Sequence, residues 1–353
     1  MPIDSPSLKA ELLDEFQQSI KPISPAGEAW RRLRKNKMAV FGLCVVLIYF
    51  FVAIFADVLP LYPYEAQVID HQNLPPSFLS AGEVMMKSKT SYLQKLMVVE
   101  NRTEMTAYEK KDMEDLTSAV KTDPVHAKHY WAGTDNLGRD MLSRTVFGGR
   151  ISMAIGLVGS LTAILIGILV GAIAGYRGGK IDALLMRTVD VIYGLPYMLL
   201  VIILMAIFGR SMLNLFVAIA LVSWLDVARV VRGQVMSLKS AEFIEAARSM
   251  GAKSSYMIWK HLVPNTMGIL VVYASLLLPR CIISESFLSF LGLGVSAPLA
   301  SWGSLVSEGV HMMETYPWEL LVPALAMTLF LFAINFLGDG LRDAMDPKSK
   351  NRV

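Results

Sequence analysis

Six blocks of apolar residues dominate this sequence. A helix needs about 20 predominantly apolar residues to cross a bilayer, and most of the blocks reach or approach that length. They run from Ala39 to Leu61, Ile151 to Tyr176, Thr188 to Phe208, Met212 to Val227, Met267 to Leu293 and Trp318 to Leu337. In lipid each block must be helical, because its backbone groups have no water to bond to. The sequence therefore predicts an all-α, polytopic membrane protein with six transmembrane helices.

The composition agrees with a membrane protein. Hydrophobic residues make up 54% of the 353 residues and charged residues 18%, whereas a soluble domain typically carries about a quarter charged residues. A soluble protein with a large buried core is the alternative, and six such blocks in one chain disfavour it. The net charge of +3 suits cytoplasmic loops that face anionic lipid and gives no reason to expect a nucleic-acid partner.

Basic residues predict the orientation, because cytoplasmic loops are enriched in Lys and Arg. The segment before the first block is basic, as are the C-terminus and the loop 229–266, whereas the loop 294–317 contains neither Lys nor Arg. Both termini are therefore expected in the cytoplasm. One cluster conflicts with this assignment, since it precedes the second block on the side predicted to be extracytoplasmic: Arg139, Arg144 and Arg150.

These blocks and loops divide the chain into five parts. Residues 1–38 form a cytoplasmic N-terminal segment, residues 39–61 the first transmembrane helix and residues 62–150 a periplasmic insert with a lead-in. A five-helix core follows at 151–340, with the cytoplasmic loop 229–266 inside it, and residues 341–353 form a cytoplasmic tail.

The insert carries its own helical signals. Thr106 and Glu109 have the spacing of a capping box, which predicts a helix start. Two apolar stripes could pack together as a hairpin, one of them at Tyr108, Met113, Leu116 and Val120 and the other at Leu93, Leu96 and Met97. Two interpretations stay open, namely a small solvated hairpin and a docking surface for a periplasmic partner.

The cytoplasmic loop 229–266 contains a short amphipathic helix. Ser240 is a candidate N-cap and Glu242 falls in the first turn, where a carboxylate suits the helix dipole. A single apolar face is expected from Phe243, Ala246, Ala247 and Met250. Gly251 stands where helices commonly end in a left-handed turn. Ser254 or Ser255 is then expected to cap a second short helix that Pro264 closes.

This loop resembles the Glu-Ala-Ala loop of permease subunits of ATP-driven (ABC) importers. Glu245, Ala246, Ala247, Gly251 and Pro264 match the family pattern in spacing, whereas His261 and Val263 replace its Ile and Leu. The ending resembles the peptide and nickel branch of the family. Four further stretches are similar to oligopeptide permeases: residues 133–140, 286–294, 301–303 and 338–347. The resemblance covers residues 30–60 and 130–350, and the insert is longer than the family usually carries.

The resemblance implies a type I ABC importer permease of a bacterial inner membrane. Its implied partners are a second permease subunit, two ATPase subunits and a periplasmic or lipid-anchored peptide-binding protein. The segment 241–261 would insert into a cleft on one ATPase as a coupling helix, and the implied coupling residues are Phe243, Glu245, Ala246, Ala247, Met250, Gly251, His261 and Pro264. ATP and Mg²⁺ would be bound by the ATPases, and no cofactor or metal is expected in this chain, which is not expected to be an enzyme. The chain has no phosphate-loop motif, since Gly178, Gly179 and Lys180 are followed by Ile181.

Ionisable residues inside the blocks are candidates for the translocation pathway, because charges in a bilayer are costly and usually functional. Arg280 and Glu285 both lie in the fifth block and could line the pathway, although an ion pair between helices is the alternative for each. Asp226 and Arg229 are expected to form a local pair. The tripeptide 194–196, Gly-Leu-Pro, is expected to kink the third helix.

The substrate is expected to be an oligopeptide, with a dipeptide second and nickel or another small solute third. A secondary transporter is the alternative to an ABC permease, and it predicts an inverted repeat that the sequence does not show. A membrane-embedded enzyme is the third possibility, and it requires clustered His, Asp or Glu near one interface.

Overall fold

Long helices form at the apolar blocks and extend beyond several of them. The computed structural model describes residues 25–209 and 211–345. Its α-helices are α1 (Pro25–Leu33), α2 (Lys37–Ile54), α3 (Ala81–Val99), α4 (Ala107–Thr122), α5 (Met141–Arg177), α6 (Gly179–Tyr193), α7 (Tyr197–Phe208), α8 (Met212–Leu238), α9 (Glu242–Ser249), α10 (Ser254–Tyr256), α11 (Val263–Phe290), α12 (Trp302–Val310) and α13 (Trp318–Met345). A π-helical segment, Met257–Leu262, joins α10 to α11, so that one continuous helix runs over Ser254–Phe290.

The described residues contain five helices that are long and apolar enough to cross a membrane. They are α2, α5, α8, the continuous helix that ends in α11, and α13. The bent pair α6 and α7 makes a sixth span if it is counted as one. The predicted all-α membrane fold is confirmed, and its third span is a broken helix.

The break in the third span lies at the tripeptide 194–196. Helices α6 and α7 meet there at 86°. The predicted kink is confirmed, and its angle is large enough to divide the span into two helices. Pro196 immediately precedes α7, where its missing N–H costs no helical hydrogen bond. The residue before a proline is also disfavoured in the helical region, which explains why α6 ends at Tyr193.

Several helices run further than the apolar blocks predicted, because polar caps and amphipathic ends continue them. Helix α5 begins at Met141 rather than at Ile151, and the Asp140 side chain accepts hydrogen bonds from the backbone N–H groups of Leu142 and Ser143. Helix α8 continues past Val227 to Leu238. The first helix is shorter than predicted, since α2 ends at Ile54 rather than at Leu61.

The most extensive helix–helix contact joins α5 to α8. Three glycines of α5 recur every four residues and so lie on one face. A β-carbon at Gly167 would lie 2.5 Å from Val227 Cβ, one at Gly171 would lie 2.4 Å from the Ala228 carbonyl oxygen, and one at Gly175 would lie 2.8 Å from the Arg232 carbonyl oxygen. Small residues in such a stripe let two membrane helices approach backbone to backbone. The repeat is visible in the sequence as a small-xxx-small pattern, which the sequence analysis missed.

The arginines that conflicted with the predicted orientation are paired with carboxylates. Asp135 Oδ2 lies 2.7 Å from Arg139 Nε and 2.5 Å from Arg144 Nη1. Arg144 Nη1 also lies 2.9 Å from Glu308 Oε2 on α12, and Arg150 Nη1 lies 2.8 Å from Asp57 Oδ2. Each arginine therefore has an acidic partner, and the pair of Arg144 with Glu308 ties α5 to α12. Because its charges are paired, the cluster does not indicate on which side of the membrane it lies.

The insert is built on the hairpin of α3 and α4. The predicted capping box at Thr106 is present, and a second one pairs Ser80 with Glu83 at the start of α3. Leu93 is buried as expected, but Tyr108 is 79% exposed. An ion pair of 2.5 Å between Lys89 and Asp112 joins the two helices. The hairpin therefore forms, although its apolar stripes are only partly covered within this chain.

A buried polar cluster holds the insert together beneath the hairpin. His71 Nδ1 lies 3.0 Å from the Tyr130 hydroxyl, and His71 Nε2 lies 2.8 Å from His126 Nδ1. His71 is completely buried, and His126 and Tyr130 are almost so. Burial, then the neighbouring His126 and Lys128, lower the pKa of His71 to about 4, against weaker opposing effects of Asp70 and Asp123. The folded insert therefore prefers a neutral His71.

Acidification should loosen the insert while the membrane core stays folded. Because the folded pKa of His71 lies below its usual value of 6.5, the unfolded insert binds more protons, and stability falls as the pH drops from about 6.5 towards 4. Between pH 7.5 and pH 5 the free energy of unfolding of the insert should fall by on the order of 2 kcal/mol, which lowers its hydrogen-exchange protection roughly thirtyfold. Hydrogen exchange of peptides from residues 69–130, corrected for intrinsic rates, measures it.

The matched variants for this prediction are His71→Gln and His129→Gln. Gln at position 71 does not titrate, so the pH dependence should largely disappear. His129 lies exposed outside the buried cluster, so its variant should behave as the wild type does. Equal protection at both pH values in the wild-type protein would contradict the prediction.

Candidate functional site: the cytoplasmic coupling helix

Helix α9 begins one position later than its predicted cap. Ala241 is the N-cap and makes no side-chain capping bond, so the prediction that Ser240 caps the helix is wrong. The chain leaves α8 at Leu238 and turns through a hydrogen bond from the Ala241 N–H to the Leu238 carbonyl. Glu242 and Glu245 both lie in the first turn, where their carboxylates interact favourably with the helix dipole and compensate for the missing cap.

The apolar residues of α9 lie on two faces, not on the single face expected. Ile244 is completely buried and Ala247 is 5% exposed, whereas Phe243 is 43% exposed and Met250, just after the helix, is 82% exposed. Ala246 is exposed with them. One face, which includes Ala247, is therefore anchored in the protein, and a second apolar face at Phe243, Ala246 and Met250 is left open.

The anchored face of α9 is held by Ile244. Its side chain belongs to a buried cluster to which α5, α8, the π-helical segment and α11 all contribute: Ala163, Ile168, Ala172, Val227, Val231, Val235, Met257, Ile258, Leu262, Leu270 and Leu277. The Tyr176 hydroxyl lies 3.6 Å from Met257 Sδ, and Lys239 Nζ lies 3.4 Å from the Tyr176 carbonyl oxygen. Because α9 shares a core with the spans, a force on α9 is passed to them directly.

Helix α9 ends in a glycine turn as predicted. Gly251 has a φ of +82°. Its N–H donates to the Arg248 carbonyl, and the Ala252 N–H donates to the Ala247 carbonyl, which is the pair of bonds of a Schellman motif. A β-carbon at Gly251 would meet nothing within 4 Å. The requirement for glycine here is therefore the left-handed backbone and not space.

The segment after the turn differs from its prediction. Lys253 is the N-cap of α10 and makes no side-chain capping bond, so neither Ser254 nor Ser255 caps it. Pro264 does not close a helix; it lies in the first turn of α11. A proline inside a helix lacks an N–H and crowds the carbonyl four residues earlier, and the helix accommodates Pro264 by widening to π geometry just before it.

His261 lies in this widened stretch and faces the loop. Its ring contacts Tyr256 edge to face at 5.4 Å, and the Asn265 side chain donates to its backbone carbonyl at 2.6 Å. Pro264 itself is exposed. The structure thus brings all eight predicted coupling residues into one unit outside the long apolar stretches, in which His261 and Pro264 belong to the helix that follows α9. Their role in coupling stays a prediction.

The two pathway candidates have different surroundings. The Arg280 side chain is 49% exposed, and its Nη1 lies 2.6 Å from Asp226 Oδ2. The expected local pair of Asp226 with Arg229 is wrong, since Arg229 instead pairs with Asp190 of α6 at 2.6 Å. Both ion pairs join different helices, because the tertiary fold places these partners closer than their neighbours along the chain.

Glu285 is enclosed between α11 and α12. It is completely buried, and its Oε1 accepts hydrogen bonds of 2.6 Å from the hydroxyls of Ser289 and Ser301. Ser301 is also the N-cap of α12. In this conformation Glu285 anchors α12, and a solute could reach it only if that contact opened.

The described residues hold no group of three or more His, Cys, Asp or Glu side chains that could bind a metal. Helix α9, with an anchored face and an open apolar face and joined to membrane spans, can receive force from a soluble partner.

Comparison with known families gives this arrangement a context. Residues 167–351, slightly more than half of the chain, match the family model described as "Binding-protein-dependent transport system inner membrane component". Residues 24–76 match the model of the N-terminal transmembrane domain of oligopeptide transport permease C. The first match includes the whole coupling loop, and the second includes α1 and α2.

Curated relatives cover most of the chain. It is 39% identical over 327 residues to the dipeptide transport system permease protein DppC of Bacillus subtilis, covering 92% of this chain and 87% of the relative. It is 36% identical to the oligopeptide transport system permease protein OppC of the same organism, covering 95% and 93%, and 50% identical to the OppC protein of Escherichia coli, covering 69% and 80%. The chain therefore belongs to the binding-protein-dependent inner membrane components, the permease subunits of ABC importers.

Proposed function

We propose that this chain forms half of a translocation pathway that imports oligopeptides. A second permease subunit forms the other half, two ATPases bind the cytoplasmic side, and a periplasmic or lipid-anchored binding protein delivers the peptide. The chain lies in the inner membrane of a bacterium with both termini in the cytoplasm. It binds no cofactor itself, and its partners bind ATP and Mg²⁺.

The observation that carries the proposal is the division of α9 into two apolar faces. Exposed apolar side chains on a helix in water are unfavourable unless a partner covers them. A narrow apolar ridge is offered to such a partner by Phe243, Ala246 and Met250. Because Ala246 is small, the surface of the partner can approach the backbone of α9 there. Ile244, on the other face, links the ridge to the buried cluster of the spans. Closure of an ATPase around the ridge would move α9 and the spans as a rigid body.

A peptide substrate is supported by the relatives, which are named as oligopeptide and dipeptide permeases. A dipeptide is the second candidate, because the DppC protein of Bacillus subtilis matches 92% of this chain. Nickel has less support, since the described residues offer no cluster of metal ligands.

The test is to purify the tagged chain from its native host in mild detergent, identify the bound proteins by mass spectrometry, and reconstitute the complex. We expect a second permease and two ATPases to co-purify. Proteoliposomes that contain the complex and the binding protein should take up labelled peptide only with ATP. A chain recovered repeatedly alone, or an assembled complex that transports no peptide, would contradict the proposal.

A further inference from the structure

Three polar side chains meet where the third span is broken. Arg280 of α11 pairs with Asp226 of α8 at 2.6 Å, and its guanidinium carbon lies 5.4 Å from the centre of the Tyr197 ring. Tyr197 is the first residue of α7, directly after the 86° bend. We name Asp226, Arg280 and Tyr197 the midspan triad.

The triad lies near the centre of the membrane. At about 1.5 Å per residue, Tyr197 is about 16 Å along α7 from its end at Phe208, and Arg280 is about 15 Å from the end of α11 at Phe290. Asp226 is about 21 Å from the start of α8 at Met212. These three helix ends all lie away from the coupling helix. The hydrocarbon core is about 30 Å thick, so three independent helices place the triad close to its middle.

The face that carries the triad does not face lipid. The side chain of Arg280 is 49% exposed and that of Asp226 is 25% exposed, and charges exposed to lipid at the centre of a bilayer are strongly disfavoured. Broken backbone at this depth is likewise tolerated only where it is buried in protein or lines a water-filled cavity. The triad therefore borders either the pathway or the second permease.

An unused hydrogen-bonding group separates these two possibilities. The Tyr197 hydroxyl is buried and has no hydrogen-bond partner among the described residues. The guanidinium of Arg280 contacts Asp226 through Nη1 and retains further donors, since a guanidinium carries five N–H groups. The exposed part of Arg280 therefore offers donors to a polar solute on this non-lipid face, and the covered Tyr197 hydroxyl joins them once the Arg280–Asp226 pair opens.

We propose that the midspan triad is this subunit's contact site for the charged ends of a transported peptide. Arg280 donates to the peptide's terminal carboxylate, Asp226 accepts from its terminal ammonium group, and the Tyr197 hydroxyl bonds to the same end of the peptide as Arg280. The Arg280–Asp226 pair opens to make these contacts. An extended oligopeptide spans up to about 3.5 Å per residue, so its two ends reach the triad one after the other as the peptide passes. The inference rests on the proposed function, because it needs a peptide as substrate.

The test compares one neutral peptide in three forms, with free ends, with an amidated C-terminus and with an acetylated N-terminus. The peptide is chosen so that the wild-type complex takes up all three measurably in proteoliposomes. Arg280→Gln should lower uptake of the free peptide about tenfold but that of the amidated peptide less than twofold. Asp226→Asn should show the complementary pattern with the acetylated peptide. The binding protein is identical throughout, so any change in these ratios arises in the membrane.

Two further variants keep the test decisive if a charge-removing variant assembles poorly. Tyr197→Phe removes only the unpartnered hydroxyl and should lower uptake of the free peptide about threefold while assembly stays intact. Arg229→Gln removes a neighbouring arginine that pairs with Asp190, and it should change uptake of all three peptides by the same factor.

The outcomes separate the inference from the proposed function. Equal loss for all three peptides in Arg280→Gln, or loss of the second permease from that complex, assigns the triad to structure or to the subunit interface and overturns the inference alone. Unchanged uptake in Arg280→Gln and Tyr197→Phe overturns it as well. Failure of the wild-type complex to take up any peptide overturns the proposed function itself.

Discussion

Replacing Phe243 by Asp should lower ATP-driven uptake at least tenfold while the protein still inserts into the membrane. Phe243 is 43% exposed on the open face of α9, so the substitution removes no buried contact within this chain. In the assembled transporter the same position would be covered by the ATPase, where an unpaired carboxylate would cost several kcal/mol. Uptake by proteoliposomes, together with co-purification of the ATPases, measures both effects.

The matched control is Met236→Asp. Met236 is 45% exposed near the C-terminal end of α8, so it receives the same charge at nearly the same exposure but outside α9. Uptake in this control should stay within twofold of the wild type. Wild-type uptake in Phe243→Asp, or an equal loss in both variants, would show that the open face of α9 does not receive the ATPase.

Replacing Gly171 by Ala should destabilise the membrane core by about 2–3 kcal/mol. The new β-carbon would lie 2.4 Å from the Ala228 carbonyl oxygen, and backbone cannot move aside as the end of a flexible side chain can. Helices α5 and α8 would have to separate and lose packing along their whole contact. The apparent melting temperature of the purified complex should fall by several degrees.

Gly233→Ala is the control for this substitution. Gly233 also lies within α8, but a β-carbon there would meet nothing within 4 Å, and alanine is the better helix former. Its melting temperature should be unchanged or slightly raised. A Gly171→Ala variant as stable as the wild type would mean that the α5–α8 contact is loose enough to absorb a methyl group.

The coupling helix shows where sequence reasoning succeeds and where it stops. The spacing from Glu245 to Gly251 located the helix and its glycine turn, because both depend on local backbone geometry. The faces were misassigned, since in a helix of eight residues alanines fit either side and periodicity hardly distinguishes them. Only the position of the ends of α5 and α8 decides that Ile244 points inward and Phe243 outward.

The charged residues show the same division. A spacing of three residues favoured a pair of Asp226 with Arg229, but the structure pairs Asp226 with Arg280 and Arg229 with Asp190. Separation along a helix predicts only which charges could meet on that helix. Charges that meet across helices depend on helix packing, here on how α8 packs against α11 and against α6.

The sequence by itself determined that this chain crosses a membrane as helices, where most of the spans lie and where the loop with the Glu-Ala-Ala helix and its glycine turn is. These properties follow from one local requirement, since a backbone in lipid must satisfy its hydrogen bonds within its own segment. The tertiary structure alone decided the angle of the broken span, the partners of the charged residues in the spans and the open face of α9. Each of these depends on distances between residues far apart in the chain, and those distances are set by packing.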